Sequence, residues 1–272
     1  AGALALADRL GAAGAGLSPH APYSVHEDVV AEIVRAASRR GLRLAMHLAE
    51  TPEETRYLLR GDGPFERFLG AIGKGRPFAG PPRLRPVAWA DRAGLLEAGC
   101  VVVHGNDLDD DDLACLAARR ASVVYCHGTH RHFERPRHRI GELLAAGVNV
   151  ALGTDSGLSN QGIDLWDELR RLSVDRPDLD PLALLRCATA GGREALGLEP
   201  GAARWQPGTR ADALLLGAPP PSVESLTARA VAAWALSGAA RPAATVHGGE
   251  FVAGPVASAG LAAFLDAPSA QG

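Results

Sequence analysis

The chain repeats one phrase four times: a short, almost unbroken apolar run, then a polar residue capable of chemistry, then an amphipathic stretch of helical period. Residues 42–46 run into His47, residues 101–103 into His104, residues 122–125 into Cys126, and residues 148–152 into Gly153-Thr154-Asp155-Ser156. A run that is apolar at every position suits a parallel strand covered on both faces, and parallel strands need a crossover, usually a helix. The intervening segments carry the matching signals. Ser24 and Glu27 have capping-box spacing ahead of Val29, Val30, Ile33, Val34 and Ala37. Thr51-Pro52-Glu53-Glu54 offers a hydroxyl cap, a proline at the first helical position and a carboxylate at the third. An acidic start at 109–112, a stop at Gly147 and an Asp180-Pro181 start mark three more helices. Strand and helix in alternation predict an α/β fold.

Chemistry-bearing residues at successive strand ends narrow that class. In a (β/α) barrel the reactive groups come from the C-terminal ends of different strands. An open doubly wound sheet would usually bring a glycine-rich phosphate loop, and neither GxGxxG nor a Walker sequence occurs. A barrel is therefore expected. Residues 61–88, rich in Gly and Pro, read as an extended loop around a short helix at 64–72. After about residue 200 the pattern changes to short strands: 213–217, then a hairpin of 243–246 and 248–252 about a Gly turn, with a helix or tail near 258–266.

Composition removes other classes. The chain has 28 basic and 31 acidic residues, a formal net charge of -3, and 5% aromatic residues, so no broad basic surface or interleaved stacking pattern points to nucleic acid. The 32 Gly and 19 Pro follow no Gly-X-Y period, and 47% of residues are hydrophobic, which excludes collagen and a wholly disordered chain. No apolar run reaches about 18 residues and no charged-then-apolar leader is present, so no membrane association is expected. Cys100, Cys115, Cys126 and Cys187 are scattered without a CxxC, which suits reduced thiols in a cytoplasmic protein. Oligomeric state is not written in the sequence; a homodimer is the default for a soluble homo-oligomer.

Several motifs occur in order. They are Ser18-Pro19-His20-Ala21-Pro22-Tyr23, Met46-His47-Leu48-Ala49-Glu50-Thr51, Val103-His104-Gly105 and Gly153-Thr154-Asp155-Ser156, followed by Ala188-Thr189 and Gly208-Thr209-Arg210-Ala211-Asp212. As an ordered set over about residues 17–253 they resemble the metal-dependent amidohydrolase superfamily, in its branch of adenosine-like, guanine and triazine deaminases and chlorohydrolases. The resemblance implies a (β/α)8 TIM-type barrel with a small β-sandwich built from both chain ends. Ser18, His47, His104, Cys126 and Asp155 would then close strands 4 to 8. The family's His-x-His pair closing its first strand has no counterpart here, and residues 1–17 are too few for three strands, so the barrel is expected to be N-terminally incomplete in this chain. The division implied is a partial barrel over 1–200, and the C-terminal strands of a small β domain with a tail over 201–272.

The same resemblance assigns roles. His47 and Asp155 would hold one divalent metal, zinc before iron, since imidazole nitrogen suits either. Glu50 would shuttle protons, His104 would hydrogen-bond the attacking water and the developing oxyanion, and Asp155 would also serve as base. His20, His130 and Ser156 would contact a small-molecule substrate. Where many relatives carry a Cys-Pro-x-Ser-Asn-like stretch, this chain has Cys126-His127-Gly128-Thr129-His130, followed by Arg131, Arg135, Arg137 and Arg139. That segment reads as a cationic loop, either over the pocket or simply solvated. The expected activity is hydrolytic deamination of an aminopurine nucleoside or similar amino-heterocycle, with release of ammonia. The alternatives are a chlorohydrolase or other C–N hydrolase of the same superfamily, and an inactive barrel that only binds.

Overall fold

The computed structural model of the chain describes residues 2–10, 15–204, 206–217 and 227–253. The expected helix or tail near 258–266 lies outside the described residues. Two compact units are present: Ala1–Asp164 with Gly191–Leu198, and Leu165–Ala190 with Glu199–Gly272.

The first unit runs α1 (Gly2–Leu10), β1 (Gly16–Leu17), α2 (Glu27–Arg40), β2 (Arg43–Leu48), α3 (Pro52–Arg60), α4 (Pro64–Ala71) and α5 (Pro86–Arg92). It continues β3 (Val101–His104), α6 (Asp110–Ala118), β4 (Ser122–Tyr125), α7 (His127–His132), α8 (Ile140–Ala145) and β5 (Asn149–Leu152). The five strands form one sheet in the order β1-β2-β3-β4-β5, with every pair parallel. Each strand lies beside the one before it in the chain, without the reversal of strand order that defines a doubly wound sheet. The apolar runs are buried as a two-sided cover requires. Leu44, Met46, Leu48, Val102, Val123 and Val150 are inaccessible, and all of β5 is buried. Val101, Ala151 and Ala195 form one cluster against Ala45 and Val124.

The helix signals were largely sound. Thr51 caps α3 with Pro52 at its start, Asp109 and Asp112 close a full capping box on α6, and α2 stops at Gly41 in the left-handed region. The start of α2 is corrected: its N-cap is His26, whose Nδ1 accepts the Asp28 N–H, while the Ser24 hydroxyl lies 2.7 Å from His20 Nδ1. Local turn bonding to Ala21 holds Ser24 outside the helix. Residues 61–88 contain α4 as expected and also the first turn of α5. The segment read as a cationic loop opens instead with the helix α7, and His127, Thr129 and His130 are buried. Its charges misled: Arg131 and His132 face water while their neighbours turn inward.

The second unit holds α9 (Leu165–Asp175), α10 (Pro181–Ala188), a 3-10 turn at Pro200–Ala203, β6 (Ala213–Leu216), α12 (Ala228–Leu236), β7 (Pro242–His247) and β8 (Glu250–Ala253), while α11 (Ala190–Ala195) belongs, but for Ala190, to the first unit. β6, β7 and β8 make an antiparallel sheet, with the expected glycine turn between β7 and β8. α9, α10 and α12 enclose an apolar cavity of about 640 Å³ with Leu214 and Leu216 of β6. No titratable side chain lines it. No described helix is long and apolar enough to cross a membrane.

Candidate active site

The strand register gathers the polar residues. His47 pairs with Val103 and Leu48 with His104, so the two histidines end adjacent strands one step out of phase. In regular strands that offset would send their side chains to opposite faces. His104 avoids this by adopting φ +77, and its ring stacks on His47 at 5.2 Å between centroids. Ala49 at φ +52 and Asp155 at φ +56 make similar turns after β2 and β5. Thus three of the six described non-glycine residues with positive φ stand at the ends of these strands. Left-handed backbone is costly for residues bearing a Cβ, and its recurrence at a cluster of polar side chains marks a candidate functional site.

His47 is held in one tautomer. Its Nδ1 lies 2.9 Å from the carbonyl oxygen of His20, an atom that only accepts, so Nδ1 carries the proton and Nε2 presents a lone pair. The same carbonyl accepts the His47 backbone N–H at 3.0 Å. His20 lies against His47 at 5.1 Å and edge-on to Tyr23, which stacks on Phe65 of α4 at 3.9 Å. Burial lowers the pKa of His20, and nearby His47 pushes it the same way. The Glu50 carboxylate stands 3.9 Å from His104 Nε2. Burial lowers the pKa of His104 against the opposing pull of Glu50, so this 2%-exposed ring is biased towards neutrality. Its own carbonyl accepts from His138 Nε2 at 3.0 Å, and His138 stacks on Tyr125.

Asp155 is exposed, with Oδ2 accepting from the Ser159 hydroxyl at 3.1 Å. Because Ser159 spends its proton there, Thr129 of α7 donates to Ser159 across 3.0 Å. Ser156, beside Asp155, is also exposed. His130 is set apart: only 6% exposed, it has Nδ1 3.1 Å from Asn106 Oδ1 and its ring edge-on to Tyr125 and His138. Gly128 is required beneath it, because a Cβ there would overlap the Asn160 amide. His47, His104, Glu50 and His20 therefore form one group, Asp155 and Ser156 flank it at the end of β5, and His130 lies below the surface.

The profile of the amidohydrolase family matches residues 3–252. The chain belongs to the amidohydrolase family. Its relatives lie in that family's branch of deaminases and chlorohydrolases. The 5-methylthioadenosine/S-adenosylhomocysteine deaminase of Pelotomaculum thermopropionicum is 33% identical over 205 residues, covering 73% of this chain and 42% of the relative. The aminodeoxyfutalosine deaminase of Deinococcus radiodurans is 33% identical over 191 residues, covering 67% of this chain and 45% of the relative. Among solved structures, an adenosine deaminase of Xanthomonas campestris with bound zinc superposes at a TM-score of 0.67, with 24% identity, over 87% of this chain and 51% of that one. The chain thus spans less than half the length of these curated relatives.

As a metal site this amidohydrolase chain offers the right donors in an incomplete set. His47 Nε2 has its lone pair available and the Asp155 carboxylate is accessible, which is the donor chemistry zinc takes. Among the described residues no three His, Cys, Asp or Glu side chains converge as a cation site. Sequence reasoning missed the residues that support the site: Glu54, Asn106, Thr129, Ser159 and His138. Each acts through a hydrogen bond to a residue on another element or outside its own helix. Only Glu54 left a local trace, as the third residue of α3.

Proposed function

We propose that this chain supplies part of the (β/α)8 barrel of a metal-dependent hydrolase that replaces the exocyclic amine of an aminopurine nucleoside, or a similar amino-heterocycle, with oxygen and releases ammonia. The observation that carries this reading is the Glu50 carboxylate 3.9 Å from His104, beside a His47 whose Nδ1 is committed to a backbone carbonyl. Identity of 33% to two deaminases of adenosine-type nucleosides supports the substrate class.

His47 Nε2 and Asp155 would hold one divalent ion, zinc or iron, together with donors beyond these two, since hydrolytic zinc centres use about three protein ligands. When bound, the ion supplies a nucleophile at neutral pH by lowering the pKa of water to about 7. Glu50 takes a proton from the attacking water and delivers it to the ring nitrogen next to the carbon under attack. His104, kept neutral by burial, donates a hydrogen bond to the oxygen as charge develops on it. Asp155, oriented by Ser159, accepts the remaining proton and passes it to the departing amine. His20 and Ser156 contact the substrate. His130 would also contact it, its ring fixed by a hydrogen bond to Asn106.

The test is ammonia release by the full-length protein from a panel of aminopurine nucleosides, including 5-methylthioadenosine. Glu50→Gln should lower kcat by about 10²- to 10⁴-fold, the range for general acid–base groups, while substrate binding persists. No ammonia from any member of the panel would sink the reading. A second reading is a barrel that binds a heterocycle without turning it over. Near-stoichiometric zinc or iron in the purified full-length protein would count against it, and metal-free protein would count for it.

A further inference from the structure

Glu54 occupies the third position of α3, where an ordinary capping box would return its carboxylate to the N–H of the cap residue, Thr51. It goes elsewhere. One oxygen accepts the Ala49 N–H at 3.0 Å and the other accepts the Glu50 N–H at 2.9 Å, the two residues that precede the cap. The cap itself is complete without this, because Thr51 Oγ1 accepts the Glu54 N–H at 3.0 Å. Glu54 is nevertheless wholly buried. Burial pushes its pKa up to about 8 against the opposing hydrogen bonds of the two amides it accepts from, and a surface helix start requires no such burial.

What the carboxylate grips is the turn that carries Glu50. Ala49 sits at φ +52 and needs something to hold it there. Its N–H goes to Glu54, and its carbonyl accepts from the Asn106 and Asp107 N–H groups, both at 2.8 Å. The Glu50 N–H goes to Glu54, and its carbonyl accepts from the Asn106 side chain at 3.2 Å. All four backbone polar groups of the pair are thereby fixed, from α3 on one side and from the loop after β3 on the other.

We propose that Glu54 is a positioning residue, whose bidentate hold on the Ala49 and Glu50 amides sets where the Glu50 carboxylate stands against His47 and His104. Its kinetic consequence rests on the deaminase reading above; its hold on the turn does not. Glu54→Gln preserves the shape but turns an NH2 group towards one of the two amides, leaving two donors facing each other. Glu168→Gln, which replaces another wholly buried carboxyl, in α9 of the second unit, is the control for a general change at a buried acidic side chain.

Both variants of the full-length protein would be assayed for kcat, KM and the pH profile of kcat, and for hydrogen exchange at the amides of residues 49 and 50. Glu54→Gln should lower kcat about 10- to 100-fold with KM nearly unchanged, displace the acid limb of the pH profile, and speed exchange at both amides at least about tenfold. Glu168→Gln should move none of these. Wild-type kcat in folded Glu54→Gln overturns the proposal, as does a kcat loss with both amides still protected. If Glu54→Gln does not fold, Asn106→Ala loosens the same turn from the other side. A fall in kcat at steady KM then supports the proposal, and an unchanged kcat overturns it. Should the wild type release no ammonia, the deaminase reading fails, and exchange alone decides the hold on the turn: faster exchange in Glu54→Gln supports it and unchanged exchange overturns it.

Discussion

His130 is the residue whose burial has the clearest measurable cost. Burial pushes its pKa down to about 4, with His127 and Arg135 acting in the same direction and the carbonyls of Pro136 and Arg135 opposing. An unfolded histidine titrates near 6.5. Between those values the unfolded chain binds more protons at this position, so the stability His130 contributes is present above about pH 6.5 and drains away as the pH falls towards 4. His138, Tyr125, Asn106 and Arg135 face or flank the ring and remain in place in a His130→Gln variant. Urea unfolding at pH 7 and pH 4.5 should show a smaller acid-induced loss in that variant than in the wild type; equal losses would refute the assignment. The residues legible in the sequence were those whose signal is local. His47, His104 and Asp155 each follow an apolar run, and Glu50 follows His47 by three positions. Asn106 was invisible because it bonds to Glu50, 56 positions away, and Ser159 because its bond to Asp155, four positions away, lies in an irregular turn that follows no helical or strand period. His130 was read as a substrate contact in a cationic loop, and its burial went unread because Arg131 and His132, which face water, follow it.

At the scale of elements, the start of α3 is the simplest to probe. Thr51→Ala removes the acceptor for the Glu54 N–H and should cost about 1 kcal/mol in chemical denaturation, the usual worth of a hydroxyl cap. A change indistinguishable from zero would mean that the Glu54 carboxylate alone holds the helix start. Strands were the most readable elements, since burial on both faces leaves no polar position to interrupt the run. Helices with Pro or Asp at the start were nearly as clear. α12 escaped because its alanine-rich stretch shows little contrast between faces, although Thr227 caps it by accepting the Ala230 N–H. α5 was hidden in a segment whose glycines and prolines read as loop. The loop after β3 is likewise firmer than its sequence suggests. Arg85 of that overlooked stretch donates to Asp112 and to the Asp107 carbonyl, both at 2.8 Å, and Thr55 donates to Asp107 at 2.5 Å.

For the whole molecule, the donors proposed for the metal stand at strand ends while the apolar core lies along the strands themselves. Stripping metal from the full-length protein with a chelator should therefore abolish ammonia release and leave the far-UV circular dichroism essentially unchanged, with activity restored by zinc. Loss of secondary structure on chelation would show instead that the ion is part of the fold, as in zinc fingers. The alternation of strands and helices was readable from β2 to β5, whereas β1, two residues long, carries no apolar run and was expected only from the resemblance. The unit boundaries were less so, because Gly191–Leu198 returns to the first unit after an excursion through the second. The strictly sequential strand order has a further consequence. Each interior strand is paired with the strand before it and the strand after it in the chain, and the loops that follow the strands carry the polar groups of the site. Such a layout is only partly modular: in the segment after β4, His138 donates to the His104 carbonyl and His130 bonds Asn106, which holds Glu50, so a recombination or an insertion that rewrites this segment reaches the His47, Glu50 and His104 group. A lineage that exchanges this cassette inherits the reacting centre intact only if the incoming segment keeps a donor for the His104 carbonyl and a partner for Asn106.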